Sequence, residues 1–202
     1  MSSHHIALGR RERNKQEKLA RITAAAYQLF SEHGVNEVTT QQIADAADVG
    51  TGTLFFYAKT KAELLLLVHN AAFAEAIDLG VAAARRETDP LLGIMAIVRP
   101  IIERNRVQVE NGRAYLRELV FGDPEEPHHK TALALAARVD AEVAEVIRHR
   151  APSRAADAQQ LAAIISSIMF INMSATVFQS LSVDRVTENV SDQVRALLAE
   201  PS

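Results

Sequence analysis

Residues 39–61, TTQQIADAADVGTGTLFFYAKTK, constrain their own local structure more tightly than any other stretch of this chain. Thr39 followed by Gln42 makes a capping box: the hydroxyl accepts the Gln42 N–H while the Gln42 side chain reaches back to the helix start. Val38 and Ile43 flank the box as a hydrophobic staple. Ile43, Ala44 and Ala47 give the short helix one small apolar face, which another helix can cross closely. Asp48-Val49-Gly50 interrupts the pattern, and Leu54 anchors a second short helix over Thr51–Tyr57. Thr60 with Glu63 forms a second capping box ahead of a Leu-rich helix. Helix, tight turn, and a helix with outward Thr and aromatic groups make the helix-turn-helix plan, which sets its second helix in the DNA major groove.

Helices this short are not stable alone, so both need a support. Leu19, Ile22, Ala26, Leu29 and Phe30 predict one, an amphipathic helix from about Asn14 to His33 closed by a left-handed Gly34. Charge gathers at the same place. Arg10, Arg11, Arg13, Lys15, Lys18 and Arg21 stand against Glu12 and Glu17, a local excess of +4 in a chain of net charge −3. Residues 1–12 are expected to lack structure in isolation, with Arg10, Arg11 and Arg13 as a basic arm. A solvated tail is the bland reading of such an arm; beside a helix-turn-helix, contact with phosphate or the minor groove is the better one. His4-His5 supports no metal site.

Length and composition set the outer bounds. The 202 residues suffice for one large domain or two small ones, and 48% hydrophobic content with 5% aromatics suggests a mainly helical protein. The absence of Cys excludes a disulfide framework and a Cys-based zinc site. The longest apolar stretch, Leu161–Phe178, is broken by Ser166, Ser167, Asn172, Ser174 and Thr176. No run thus reaches the roughly 18–20 residues that span a bilayer. The polar, basic start lacks the apolar centre of a signal peptide. The expectation is a cytoplasmic protein with no membrane contact.

Beyond Lys61 the chain reads as helix throughout. One helix is expected over 61–86, and a second opens at Asp89-Pro90 and is kinked at Pro100. Asn111-Gly112 reads as a break before a short helix Arg113–Phe121, and residues 122–127 as a loop. A helix follows from His129 to about Arg150, with Val139, Val143, Val146 and Ile147 on one side. Residues 156–181 form the most apolar helix, with apolar groups all round, which requires burial on more than one side and hence a partner subunit. A last helix, Thr187–Ala199, carries Val190, Val194, Leu197 and Leu198 to complete the same interface. The fold class is therefore all-α, about nine helices in two parts: a head over 1–60, and a body over 61–202 that dimerises through 156–199.

The head closely resembles the DNA-binding unit of the tetracycline-repressor (TetR/AcrR) family of bacterial transcription regulators. The resemblance runs from the basic first helix through His33-Gly34, Thr39-Thr40, Ile43-Ala44 and Val49–Tyr57 to Lys61. It implies that Thr40, Thr53, Phe55, Tyr57 and Lys61 contact double-stranded operator DNA, mostly at phosphates, while Gln41, Thr51, Gly52 and Phe56 can reach bases. The chemistry agrees: a helix N-terminus with a Lys is an anion site, hydroxyls donate to phosphate, and Gln pairs with an adenine edge. Four positions depart from the family pattern. Asp48 stands for a usual Gly in the turn, Phe55 for a common Tyr, Ala58 for a common Phe and Gly50 for a usual Ser. Asp is among the few other residues that tolerate a left-handed backbone.

For a small-molecule site the residues point to Tyr115 and Asn172, polar groups amid apolar helices, with the adaptable Met169 and Met173. The resemblance adds Phe73 and Ile77 on the fourth helix. Taken singly, Tyr115, Asn172 and Gln179 are more ordinarily satisfied core or interface groups. His128-His129 beside Glu125-Glu126 lies in a loop and lacks ligand spacing on a helix face, so no metal is expected. No nucleophile and base are paired, and Gly50-x-Gly52 follows no strand, so neither an enzyme nor a cofactor is implied. The resulting expectation is a homodimeric repressor released from a palindromic operator by a small apolar effector. The alternative is an architectural DNA-binding protein that uses the same head and senses nothing.

Overall fold

The computed structural model describes residues 9–199, and the His4-His5 reading lies outside them. Among the described residues there are α-helices and 3-10 turns and no strand. The helices are α1 (Arg10–His33), α2 (Thr40–Ala46), α3 (Thr51–Tyr57), α4 (Lys61–Ala84), α5 (Pro90–Asn105), α6 (Val109–Phe121), α7 (Pro127–Arg150), α8 (Ala158–Ser174) and α9 (Val183–Leu198). Short 3-10 turns at Pro152–Asp157 and Thr176–Phe178 precede and follow α8.

The head forms as its caps dictate. Thr39 accepts from the Gln42 N–H, and the Gln42 side chain accepts from the Thr39 N–H, so the capping box is closed. Asp48 makes the turn with φ of +50°, and its carboxylate accepts from Arg21 Nη1 at 3.1 Å. Thr60 caps α4 through the Glu63 N–H, but the Glu63 carboxylate accepts from Lys59 N, one residue earlier than a strict box. Ile22, Phe30, Ile43 and Leu54 are fully buried and form the small core beneath α2 and α3.

α4 joins head to body. It packs against α1 on one side and against α5, α6 and α7 on the other. By length and apolar composition it could cross a bilayer, so the expectation that no segment could is corrected. Its Leu64, Leu65, Leu66, Val68, Phe73 and Ile77 are buried in the protein, which makes it a core helix.

Other differences from the sequence reading have local causes. α1 begins at Arg10, so Arg10, Arg11 and Arg13 lie on its first exposed turn and form no loose arm. Gly34 has positive φ (+81°) but ψ of 150°, an extended mirror-image conformation, and a Cβ there would sit 2.9 Å from Gln108 Nε2. Asn111-Gly112 is no break: both lie in the first turns of α6, which Gln108 caps. A Cβ at Gly112 would fall 2.1 Å from the Asn105 carbonyl oxygen, so glycine is required there by close approach. α5 continues through Pro100 to Asn105. α7 starts at Pro127, which puts His128 and His129 in its first turn and not in a loop, capped by Glu126. The single helix expected over 156–181 is three elements, because the backbone leaves α-geometry on both sides of α8.

α9 starts earlier than expected, at Val183, capped by Ser182. Val186, Val190 and Val194 are fully buried within the chain. The α9 stripe is therefore used against α5 and α8, and what faces outward is polar.

Candidate functional site

Two features of the described residues have functional form: the outer face of the head and a cavity in the body. On the head, Phe56 is 75% exposed and Phe55 44%, while Leu54 between them and the support is fully buried. Two adjacent helical positions cannot face one core, and here the core takes neither. Gln41 and Gly52 are exposed, and Thr40, Thr51 and Thr53 are half-buried. Arg11, Lys15 and Lys18 of α1 border a groove whose other wall is Gly52, Thr53, Phe56 and Tyr57. The positive charge gathered in α1 thus lies alongside the exposed face of α3.

Two of the residues the resemblance assigns to phosphate are engaged within the protein. Tyr57 donates its hydroxyl to the Lys15 carbonyl at 3.0 Å. Lys61 Nζ donates to the carbonyls of Asn36 and Val38 at 3.2 and 3.1 Å. Lys61 so positioned holds the loop before α2 on the start of α4. Gly50 caps α3 with backbone alone, and Ala58 is buried at its C-terminus.

The body cavity lies between α4, α5, α6, α7 and α8 and has a volume of about 100 Å3. Phe73, Ile77, Tyr115, Met169 and Met173 all line it, with Leu116, Leu119, Leu135, Val139 and Phe170. Asn172 does not belong to the wall. It is buried on α8, its Nδ2 donates to the Ile168 carbonyl, and its Oδ1 has no partner among the described residues. Phe73 and Tyr115 stack with ring centroids 4.6 Å apart. The polar groups of the wall are already paired: Tyr115 donates to Asn70 Oδ1 at 2.9 Å, and the Ser166 hydroxyl donates to Asp140. Burial raises the Tyr115 pKa, so its hydroxyl stays a donor. Behind it, His69 is held down to about 4 by burial and by the nearby Arg104 charge, and is therefore neutral near pH 7.

Three helices that form this wall also fasten the head. Lys61 opens α4. Asn111 on α6 is fully buried and accepts from the Val35 N–H at 2.7 Å while donating to the Phe30 carbonyl at 2.7 Å, capping the end of α1. His128 in the first turn of α7 meets the Tyr57 carbonyl at 3.0 Å, at the end of α3. Sequence reasoning missed Asn111, Asn70 and His128 in these roles. Asn70 carried a signal, a polar residue within LLLLVHNAAF; Asn111 was hidden behind its neighbour Gly112, and His128 behind a metal reading. No cluster of three or more metal-ligating side chains occurs among the described residues.

Residues 22–68 match the family described as bacterial regulatory proteins, tetR family. The match runs from α1 through α2 and α3 into the start of α4, so it is the head that carries the similarity to this family. Its match to the HTH-type transcriptional regulator RutR of Escherichia coli (strain K12) is 29% identical over 119 residues, covering 57% of this chain and 54% of that protein. The chain thus spans about half the length of the curated relatives it matches. Among solved structures, that of Thermus thermophilus FadR, a TetR-family transcriptional repressor, in complex with lauroyl-CoA superimposes with a TM-score of 0.67 at 20% identity, over 91% of this chain and 97% of that one. A TetR-family regulator from Streptomyces coelicolor gives 0.65 at 22% identity, over 90% and 88%. At these identities the structural likeness is one of fold. It covers the body as well as the matched head.

Proposed function

We propose that the chain is a ligand-responsive transcriptional regulator, a repressor that leaves a palindromic operator when a small apolar effector occupies the body cavity. The observation that carries the DNA reading is the exposed aromatic and Thr-bearing face of α3 beside the basic first turns of α1. Residues 1–60 form the reader. Thr51, Gly52, Phe56 and Gln41 meet bases; Thr40, Thr53, Phe55, Tyr57 and Lys61 meet phosphates, the last two after exchanging an internal carbonyl for DNA. Residues 61–202 sense the effector and dimerise. The protein acts in the cytoplasm, where its DNA lies.

The cavity supports the effector's class. Its paired polar groups leave a wall that offers surface to alkyl or aromatic groups. Ligand pockets generally hold about 300–1,000 Å3, so an effector must enlarge this one by moving the helices around it. A ligand that binds only the enlarged form shifts the protein toward it by its differential affinity. The lauroyl chain bound by the Thermus thermophilus relative is of the chemistry such a wall accepts. Asn172 is not carried into this site.

Dimerisation rests on α8, whose Ile164 and Ile171 remain exposed with Ile168 half-buried between them, at i, i+4 and i+7. α9 contributes the polar rim. Two heads then meet successive major grooves roughly 34–36 Å apart.

Selection from random duplex DNA tests the whole reading. A palindromic site should be enriched, its affinity should fall steeply with salt as several phosphates are neutralised, and dodecanoic acid or lauroyl-CoA should release it. Absence of enrichment, or binding indifferent to salt, overturns the regulator reading. Ile171→Glu should yield monomers in gel filtration; an unchanged dimer would move the interface elsewhere.

A further inference from the structure

Three hydrogen bonds in series run from the cavity wall to the end of α3. We propose that they form a positioning relay through which the state of the cavity sets the C-terminal end of the recognition helix. The inference rests on the regulator reading above. Tyr115, whose ring lines the cavity, donates its hydroxyl to Asn70 Oδ1 at 2.9 Å. Asn70 Nδ2 donates to the His128 carbonyl at 2.8 Å. His128 Nε2 donates to the Tyr57 carbonyl at 3.0 Å.

The chemistry fixes the direction of each link. Backbone carbonyls only accept, so the Asn70 amide must present its NH2 to His128 and its oxygen to Tyr115, and His128 must carry its proton on Nε2. Every donor lies on the cavity side and every acceptor toward the head. Asn70 and Tyr115 are buried, and breaking their bond would leave polar groups unpaired in the interior. The last two links meet at His128, one at its backbone carbonyl and one at its ring, so a displacement of the start of α7 moves both.

The receiving end needs the relay. α3 has seven residues, and its last carbonyls have no intrahelical partners. His128 supplies a cap to Tyr57 from a distant helix, while the Tyr57 hydroxyl is fixed on α1. The sending end is equally exposed to change. Tyr115 stacks on Phe73 at the cavity, and α7, which carries His128, supplies Ala132, Leu135 and Val139 to the same wall. Enlarging the cavity moves the Tyr115 ring, the α7 wall or both, and either displaces the cap on α3.

A double-substitution cycle on the full chain, free of DNA and ligand, tests this by hydrogen exchange of residues 51–58, with α9 as internal reference. Tyr115→Phe keeps the stacked ring and removes only the hydroxyl. It should speed exchange in 51–58 about five-fold, the size of an ordinary coupling between linked side chains. In a His128→Ala background the same substitution should add nothing. His128→Gln, whose amide N–H replaces Nε2–H, should restore the response to Tyr115→Phe. Additive effects of Tyr115→Phe and His128→Ala, or exchange in 51–58 untouched by Tyr115→Phe, overturn the relay. Operator binding by the unsubstituted chain is scored separately: binding with an additive cycle defeats the relay alone, and a coupled cycle without binding defeats the regulator reading alone.

Discussion

Head and body satisfy their polar groups in different ways. In the head the helix caps are local, Thr39 with Gln42 and Thr60 with Glu63, three positions apart, and the longer bonds from Arg21 to Asp48 and from Tyr57 to Lys15 span 27 and 42 positions. In the body, Asn111 reaches Val35 across 76 positions, Asn70 reaches His128 across 58, and the buried Arg106 caps the Leu181 carbonyl across 75. Shorter-range pairing lets the shape of the head follow largely from its own stretch of sequence. Distant pairing makes a body whose shape depends on how its helices lie together.

The sharpest way to break that comparison is to remove the head's own core. Leu54→Ala empties a fully buried site and should cost about 2–5 kcal/mol. Hydrogen exchange should show the loss concentrated in α1–α3, with α8 and α9 protected. Equal loss throughout would mean that head and body do not differ in this way.

The body carries a pH dependence at His69. His69 titrates at about 4 in the fold against an ordinary value of 6.5. Between these values the unfolded chain binds a proton that the folded chain refuses, so stability is complete above pH 6.5 and falls as pH drops toward 4. The full difference is roughly 3 kcal/mol. Denaturant titrations at pH 7.5 and 4.5 should show most of it, and His69→Leu should remove that share of the slope.

Asn111→Ala tests the fastening between the two regions. It leaves the Val35 N–H and the Phe30 carbonyl without their buried partner, at a cost of about 1–3 kcal/mol. Exchange should rise at the end of α1 more than inside α6. The smallest effect on stability is expected at Phe56. Phe56→Ala should change the melting free energy by less than about 0.5 kcal/mol, yet weaken operator binding, as measured by fluorescence anisotropy.

The legibility of the two regions follows the same division. Thr51–Tyr57 agrees in its limits with the observed α3 because Gly50, Leu54 and the Asp48 turn act within a few residues. That at least one of Phe55 and Phe56 lies outside the core was likewise implied by two adjacent aromatics on a short helix. Asn172 was expected in the pocket as a polar group amid apolar residues, taken with Met169 and Met173, yet one step along a helix turns a side chain by about 100°, and the wall takes Met173 without it. Asn111-Gly112 looked like a break because glycine beside Asn is ordinary turn chemistry. Only the approach of Asn105 shows why glycine stands there inside a helix. Val190 and Val194 form a real stripe, but periodicity cannot tell which neighbour covers it.

By itself the sequence determined the all-helical class, the helix-turn-helix with its caps and the basic face beside it. These rest on interactions spanning a turn or two of helix. The tertiary structure alone decided which residues enclose the cavity and which partner covers each apolar stripe. It also decided that Lys61, Asn111 and His128 each bind the head to a helix of the cavity wall. Those outcomes depend on contacts between residues tens of positions apart, whose geometry no local pattern encodes.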